Sequence, residues 1–239
     1  MRRIVSRVRA AVDDYKMISA GDKIAVGVSG GKDSLLLLKA LCELKRFYSN
    51  EFELVAITED MRFNKQAGDF SAIAEMCREY GVEYIVKPSD LYEIIFEVRK
   101  EENPCALCAR MRRGILHDTA KEAGCNKIAL GHHLDDAAET FMMNLLLESR
   151  IGCFAPVTYL SRKDITMIRP LIYIREREAV AATQRLQLPV VESKCPANGL
   201  TKREDVKKLL ETLSATYGDV SERIIGAMQR SNIDRWEKE

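Results

Sequence analysis

The sequence is most informative at first through what it lacks. Its 239 residues contain no apolar run approaching the roughly 18 residues that a membrane-spanning helix needs. The first residues, MRRIVSRVRAAV, lack the apolar core of a secretory signal peptide. Lys and Arg number 37 against 36 Asp and Glu, so the net charge is only +1. These absences predict no membrane partner, and they restrict any nucleic-acid contact to local basic patches.

The remaining composition is that of a globular protein with a normal core. Of its residues 46% are hydrophobic and 31% are charged, which suits one large domain or one domain with a helical extension. Seven cysteines without a secretory signal predict a cytoplasmic location. In that reducing compartment, thiols serve as metal ligands or catalysts more often than as disulfides.

One stretch, KIAVGVSGGKDS (23–34), has the pattern of an anion-binding loop. Residues 23–28 form a short apolar, β-branched run that predicts a buried strand, and the following leucines predict a helix to about Phe47. Between them, two glycines let the backbone direct several N–H groups at one anion. The helix N-terminus and Lys32 add positive charge. An ordinary glycine turn is the simpler interpretation, but the strand–turn–helix context favours phosphate binding.

The loop differs from a Walker A motif at two positions. That motif requires glycine where the chain has Val26, and Ser or Thr where it has Asp33. SGGKDS instead resembles the PP-loop of the ATP pyrophosphatases, which split ATP into AMP and pyrophosphate while adenylating a substrate. The resemblance implies that this loop holds the departing pyrophosphate. The implied ATP-binding residues are Val28, Ser29, Gly30, Gly31, Lys32, Asp33, Ser34 and Gly131.

Apolar strand patterns alternate with helical patterns along the chain. The predicted strands after the first are 52–58, 82–87, 127–132 and 188–192, and the predicted helices include 1–20, 72–80 and 91–100. This alternation predicts an α/β fold with a doubly wound parallel sheet. We divide the chain into a basic amphipathic helix (1–20), a PP-loop ATP pyrophosphatase domain (21–200) and a C-terminal helical segment (201–239). The resemblance implies the adenine nucleotide alpha hydrolase-like form of this fold.

A CxxC pair, Cys105 and Cys108, precedes three arginines on a predicted helix. Alone, this pair is compatible with a redox dithiol, half of a zinc site or part of an iron–sulfur site. Arg110, Arg112 and Arg113 either form a solvated helix face or serve a function: they contact ATP phosphate, contact RNA phosphate, or lower the pKa of the thiols.

A second motif, ALGHHLDDAAET (129–140), begins at the predicted carboxyl end of a strand. Asp136 and Glu139 have the spacing of a helix capping box, which needs no further function. In an open α/β sheet, however, ligands bind at the carboxyl ends of strands. Asp135 and Asp136 are therefore predicted to bind Mg²⁺ or to contact the reacting phosphoryl group.

These two motifs together narrow the resemblance to the cysteine-bearing tRNA thiolation enzymes of the PP-loop family, and most closely to the tRNA 2-thiocytidine synthetases. The resemblance implies a [4Fe–4S] cluster on Cys105, Cys108 and a distant third cysteine, for which Cys195 in VVESKCPANG is the candidate. The absence of further CxxC pairs favours the thiocytidine side over the thiouridine side. The other cysteines are expected to be packed thiols: Cys42, Cys77, Cys125 and Cys153.

The resemblance also implies a reaction and its partners. ATP would adenylate the C2 oxygen of a pyrimidine, an anticodon-loop cytidine of tRNA, and sulfur would then displace AMP. Mg²⁺ would assist, and the sulfur would come from a cysteine desulfurase or free sulfide; the chain is a possible homodimer. The implied catalytic residues are Asp33, Asp135, Asp136 and Arg112, and the implied RNA-binding residues are Arg110 and Arg113.

Two alternatives and one departure accompany this interpretation. A thiouridine- or lysidine-forming adenylating enzyme would need SGGKDS but, for lysidine, not the three cysteines. A zinc-stabilised RNA-binding module would need neither ATP nor iron. Thiouridine enzymes have a lysine where this chain has Arg112, and arginine does not act as a base near neutral pH.

Overall fold

The computed structural model describes residues 1–99, 104–191, 195 and 202–238. In these parts of the chain, no helix combines the length and apolar character needed to cross a membrane. The helices are α1 (Arg2–Asp14), α2 (Lys32–Lys45), α3 (Ser71–Glu79), α4 (Pro104–Glu122), α5 (Leu134–Leu147), α6 (Glu176–Arg185), α7 (Lys202–Tyr217) and α8 (Val220–Arg230). The strands are β1 (Asp22–Gly27), β2 (Phe52–Asp60), β3 (Glu83–Pro88), β4 (Lys127–Ala129), β5 (Val157–Leu160) and β6 (Ile165–Ile168).

The six strands form one sheet in the order β3-β2-β1-β4-β6-β5. Strands β1 to β4 and β6 are parallel, with Val26 beside Ala56 on one side and Ala129 on the other. The strand order reverses between β1 and β4. At such a reversal the two following connections leave on opposite sides, and a crevice opens at the carboxyl ends of the strands.

Helices cover both faces of the sheet. Since neighbouring side chains along a strand point to opposite faces, each strand contributes residues to both cores. On β1, Ile24 and Val26 join the main apolar core, which also contains residues of α1, α2, α3, α5, α6 and α8. Ala25 between them faces the other side, where Leu116 and Ala120 of α4 pack. The fold is therefore three-layered, and α4 is the helix that crosses the face opposite the main core.

The predicted α/β fold with a doubly wound parallel sheet is confirmed, with one departure at the sheet edge. Strand β5 pairs antiparallel with β6, with Thr158 opposite Met167. Only residues 161–164 connect these two strands. A connection of this length allows a hairpin, whereas a parallel pair requires a much longer crossover.

The predicted strand at 188–192 is also corrected where the structure describes it. Residues 188–191 are not part of the sheet. Instead, the Val191 N–H donates to the carbonyl oxygen of Gly30 at 3.0 Å. The apolar pattern of this segment reflects packing behind the phosphate-binding loop, with Leu188 and Val191 against the main core.

Both ends of the described chain are built into this core. Val8 and Val12 of α1 are fully buried beside α2. Near the other end, the Trp236 side chain is also fully buried, and its Nε1–H donates to the Phe154 carbonyl at 2.9 Å. The Tyr15 hydroxyl donates to the Trp236 carbonyl at 3.0 Å. The division at residues 20 and 200 stays a prediction.

Replacing Trp236 with alanine should lower the free energy of unfolding by about 3–5 kcal/mol, because a large buried side chain and its hydrogen bond are lost. Chemical denaturation at neutral pH measures this change. Phe47, which is 58% exposed, is the control, and its replacement with alanine should have little effect. Equal effects of the two substitutions would contradict the assigned burial of Trp236.

Candidate functional site

A cleft of about 590 Å³ lies at the strand-order reversal, at the carboxyl ends of the parallel strands. Its walls come from five parts of the chain. They are the loop after β1 (Val28, Ser29, Asp33, Ser34), the end of β2 (Ile57, Glu59), one face of α4 (Ala109, Arg112, Arg113, Leu116), the turn after β4 with the start of α5 (Leu130, Gly131, His132, Asp136), and the end of β6 (Met167, Arg169). The fold thus brings both sequence motifs and the arginine-bearing helix to one cavity.

The loop after β1 is held open by its own serines. The Ser34 hydroxyl donates to the Gly31 carbonyl at 2.8 Å and accepts from the Ser29 N–H at 3.1 Å. Gly30 has a φ of +82°, which glycine adopts without strain. These contacts fix a turn directly before α2, where unpaired backbone N–H groups form an anion-binding end. The geometry fits the predicted phosphate loop.

Gly131 lies so close to this loop that a side chain there would require the backbone to shift. A Cβ atom at this position would be 3.1 Å from both the Asp33 carbonyl carbon and the Ser34 nitrogen. Both neighbours are backbone atoms, so they cannot rotate aside. Gly131 therefore sets how closely the turn after β4 approaches the start of α2, and this approach shapes the cleft.

Lys32, the loop lysine, is engaged by carboxylates on two elements. Its Nζ is 2.8 Å from Asp33 Oδ2 and 3.1 Å from Glu176 Oε1 at the start of α6. Glu176 is also 2.7 Å from Lys207 of α7. Burial lowers the pKa of Lys32, but the ion pairs with Asp33 and Glu176 raise it above its usual value overall. Lys32 therefore remains charged and links the loop to α6.

The start of α5 is capped differently from the sequence prediction. His133, not Asp136, is the N-cap residue: its Nδ1 accepts from the Asp136 N–H, and Asp136 Oδ2 accepts from the His133 N–H at 2.9 Å. Glu139 is buried and paired with Arg203 of α7 at 3.0 Å. The predicted Asp136–Glu139 box is wrong, because the helix begins three residues earlier. Asp136 still lines the cleft.

The Asp135 side chain does not line the cleft but lies on the side of α5 next to α6. Its carboxylate is 2.8 Å from Arg175 Nη2 and accepts from the Glu176 N–H at 2.6 Å. Arg175 also pairs with Asp219 of α8. Asp135 lines a separate, smaller cavity and so connects α5 with α6 and α8. Of the two aspartates, only Asp136 is brought to the cleft in this structure, and a catalytic role for Asp135 stays a prediction.

The predicted cluster cysteines lie at the α4 side of the site. Cys105 is exposed, and Cys108 and Cys195 are half-buried. Burial raises the pKa of the Cys108 thiol, Arg112 opposes this effect, and Glu59, Cys195 and Cys105 add to it. Cys105 and Cys195 are therefore close enough to Cys108 to affect the pKa of its thiol. In contrast, the packed thiols were predicted correctly: all four are buried.

The three arginines of α4 have different surroundings. Arg112 Nε is 3.0 Å from Glu59 Oε2 at the end of β2, and this pair lies in the cleft. Arg113 is exposed, lines the cleft and donates to the Ala109 carbonyl at 3.1 Å. Arg110 is exposed and does not line the cleft. Among the described contacts of these three arginines, only that of Arg112 is with a residue of the sheet, Glu59.

The sequence analysis assigned no role to two further cleft residues, His132 and Arg169. Burial and the charge of Arg169 lower the pKa of His132 to about 4, so this imidazole is neutral at neutral pH. Burial lowers the pKa of Arg169 to about 10, so its guanidinium stays charged. The sequence offered a positional signal for each residue: His132 ends the predicted strand 127–132, and Arg169 directly follows β6, a strand that was not recognised.

We expect Gly131→Ala to weaken ATP binding by about tenfold or more, since a new Cβ must displace the backbone at the start of α2. Isothermal titration calorimetry measures the affinity. Gly114→Ala is the matched control, because a Cβ there meets nothing within 4 Å. Unchanged ATP affinity in the Gly131 variant would show that this contact does not shape the loop.

Glu176 should make the free energy of unfolding depend on pH in the acidic range. Despite burial, which raises it, the hydrogen bonds from Lys207 and Lys32 lower the pKa of Glu176 to about 2. A depressed carboxyl pKa stabilises the fold above the unfolded-state pKa, and this stabilisation is lost as pH falls toward 2.

Glu176→Gln should therefore be less stable than the original chain at neutral pH, with a smaller loss of stability on acidification from about pH 6 to about pH 3. Urea denaturation across this range measures both effects. The exposed Glu148→Gln is the control and should follow the original curve. Parallel curves for the Glu176 variant and the original chain would contradict the ion pairs.

Comparison with known proteins agrees with this geometry. The PP-loop domain model matches residues 2–211. The tRNA-cytidine(32) 2-sulfurtransferase of Citrifermentans bemidjiense is 38% identical over 97% of this chain and 90% of its own length. The enzyme of that name from Geobacter sulfurreducens is 39% identical over 95% of this chain and 89% of its own.

A solved structure is similar as well. The U34-tRNA thiolase from Methanococcus maripaludis with its [4Fe-4S] cluster superposes with a TM-score of 0.80 and is 29% identical, covering 96% of this chain and 78% of that one. The chain therefore belongs to the PP-loop family, in the branch whose curated members are tRNA-cytidine 2-sulfurtransferases.

Proposed function

We propose that this enzyme is an ATP-dependent tRNA sulfurtransferase. It adenylates the C2 oxygen of an anticodon-loop cytidine and replaces that oxygen with sulfur. The substrate follows from the names of the relatives, which thiolate cytidine 32. The observation that carries the proposal is the meeting of the phosphate loop, the turn after β4 and the cysteine-bearing α4 at one cleft. Adenylation and sulfur transfer then occur at one place.

The loop after β1 has the properties required to hold a leaving pyrophosphate. Ser29 and Ser34 fix its backbone, and Lys32 carries a full positive charge that Glu176 shares. Pyrophosphate would replace Glu176 as the partner of Lys32, since a phosphate oxygen is a charged acceptor of the same kind. The donors are preorganised where negative charge develops, which stabilises the transition state.

An Mg²⁺ ion fits at the loop side of the cleft. Asp33 Oδ1 is buried and has no hydrogen-bond partner among the described residues, while its other oxygen pairs with Lys32. Asp136 lines the same cleft. An unsatisfied buried carboxylate oxygen is costly unless a cation or donor meets it. Asp33 and Asp136 would hold the ion, which would offset phosphate charge.

Cysteine thiolates are the ligands that a [4Fe–4S] cluster requires, and Cys105 and Cys195 lie close enough to Cys108 to affect the pKa of its thiol. Each cysteine of a cluster binds a different iron, so its sulfurs need not converge on one point. Cys105, Cys108 and Cys195 would be the three ligands, and such a cluster supplies an iron without a protein ligand for sulfur delivery.

The surrounding residues would position the tRNA and the departing AMP. Arg110 and Arg113 are exposed on α4 and would contact RNA phosphates. Arg112, held by Glu59, would stabilise charge that develops in the cleft. Sulfur would be supplied by a cysteine desulfurase or free sulfide. A homodimer is part of this proposal, as is the cytoplasmic location.

The decisive test uses protein purified without oxygen, with ATP, Mg²⁺, sulfide and unmodified tRNA. Formation of 2-thiocytidine, with AMP and pyrophosphate released in equal amounts, is the expected result. Mass spectrometry of digested tRNA identifies the nucleoside. Thiouridine or lysidine as the product would assign another reaction of this family, and AMP release without a modified base would refute sulfur transfer.

Replacing Cys105, Cys108 or Cys195 with alanine should abolish thiolation and leave ATP affinity largely unchanged, because these residues are expected to bind iron and not phosphate. Iron and acid-labile sulfide should fall in parallel. Cys125→Ala is the control, since that thiol is buried under α4 away from the cleft. Equal loss of ATP binding would instead indicate a structural role.

A further inference from the structure

Arg169 is an unusual charge for a protein interior. It is only 5% exposed, and it pairs with no carboxylate in the described parts of the chain. Its guanidinium lies over the Phe154 ring, 4.8 Å from the centroid. Burying an ionised group without a partner is costly. A fold retains such a charge at low cost if an anionic ligand neutralises it.

The hydrogen bonds of Arg169 leave one edge of the guanidinium unused. Nη1 donates to the Ala155 carbonyl at 2.5 Å and to Thr158 Oγ1 at 3.2 Å. Nε is buried with no partner in the described residues, and Nη2 makes none of the hydrogen bonds of this side chain. The Nε–Nη2 edge is the one that binds two oxygens of a phosphate or carboxylate at once.

No carboxylate pairs with this guanidinium in the described parts of the chain, although Asp136 lines the same cleft. Arg169 lines the same cleft as the phosphate loop. Neighbouring His132 has an unpartnered, buried Nδ1 and is itself uncharged at neutral pH. The cleft thus has two anion-binding walls: the loop before α2, and the fixed guanidinium at the end of β6.

We propose that Arg169 binds the α-phosphate of ATP, the phosphate that remains as AMP, through its Nε–Nη2 edge. This assignment rests on the adenylation proposed above and names a further residue for it. When the acceptor oxygen bonds to the α-phosphorus, the bond to the bridging oxygen breaks, and its electron pair leaves with pyrophosphate. The loop holds pyrophosphate, and Arg169 holds the α-phosphate at both stages, before and after AMP departs from C2.

Thr158 and Ala155 fix the orientation of the Arg169 guanidinium. Because both occupy Nη1, the guanidinium plane is fixed before the nucleotide arrives. A group already fixed loses little side-chain entropy when it binds, and its charge acts in a cleft that excludes much of the solvent. The β5–β6 hairpin is therefore part of the site through Arg169.

The test compares three probes, AMP, adenosine and inorganic pyrophosphate, titrated separately into the full chain by calorimetry. Arg169→Gln should weaken AMP binding roughly 30-fold, as expected for the loss of two charged hydrogen bonds. Adenosine and pyrophosphate affinities should not change. Arg169→Lys should be intermediate, since it keeps the charge without the bidentate edge. Arg162→Gln, on the exposed turn of the same hairpin, is the matched control.

Three results would overturn the assignment. Unchanged AMP affinity in Arg169→Gln would remove the phosphate contact, and an equal loss for adenosine would move the contact to the nucleoside. An equal loss for pyrophosphate would show that Arg169 supports the whole cleft. If Arg169→Gln fails to fold, Arg169→Lys decides by the same three affinities. Because none of these measurements uses tRNA, they are independent of whether the chain thiolates cytidine.

Discussion

The site depends on one close backbone contact, between the turn after β4 and the start of α2. Gly131 is the residue of that contact, and a Cβ there would lie only 3.1 Å from backbone atoms of Asp33 and Ser34. Strands β1 and β4 are direct neighbours, so their carboxyl ends deliver the phosphate loop and the His133–Asp136 turn to the same point. Every other part of the cleft is placed relative to these two turns.

Charged pairs then connect this centre to the outer helices. Lys32 reaches Glu176 on α6 and through it Lys207 on α7, while Arg203 on α7 reaches the buried Glu139. Glu176 thus pairs with Lys32, the lysine that phosphate would bind. If phosphate replaced Glu176 as the partner of Lys32, the link between the loop and α6 would change, and nucleotide binding would be coupled to the packing of α6 and α7.

The cleft also has a division of charge that suits two successive departures. In the proposed reaction pyrophosphate would leave first and AMP second, and each leaving group would need positive charge beside it. The loop offers the backbone N–H groups at the start of α2, whereas the end of β6 offers Arg169. Arg112 pairs with Glu59, whereas Arg169 pairs with no carboxylate in the described parts of the chain. This difference in pairing distinguishes the proposed roles of the two arginines.

The sequence by itself determined the phosphate loop, the alternating α/β pattern and the cysteine motif, because each depends on local backbone preference or short spacing. The burial of Cys42, Cys77 and Cys125 followed from their places in or at the ends of predicted helices, whereas Cys153 has no clear apolar pattern around it. Only the tertiary structure decided the β5–β6 hairpin, the position of 188–191 behind Gly30, and the different directions of Asp135 and Asp136. Adjacent residues at a helix start point in different directions, and which of them reaches a ligand depends on elements far away in the chain. The role of Arg169 also depends on the tertiary structure, since a buried charge becomes meaningful only when the surrounding partners, or their absence, are known.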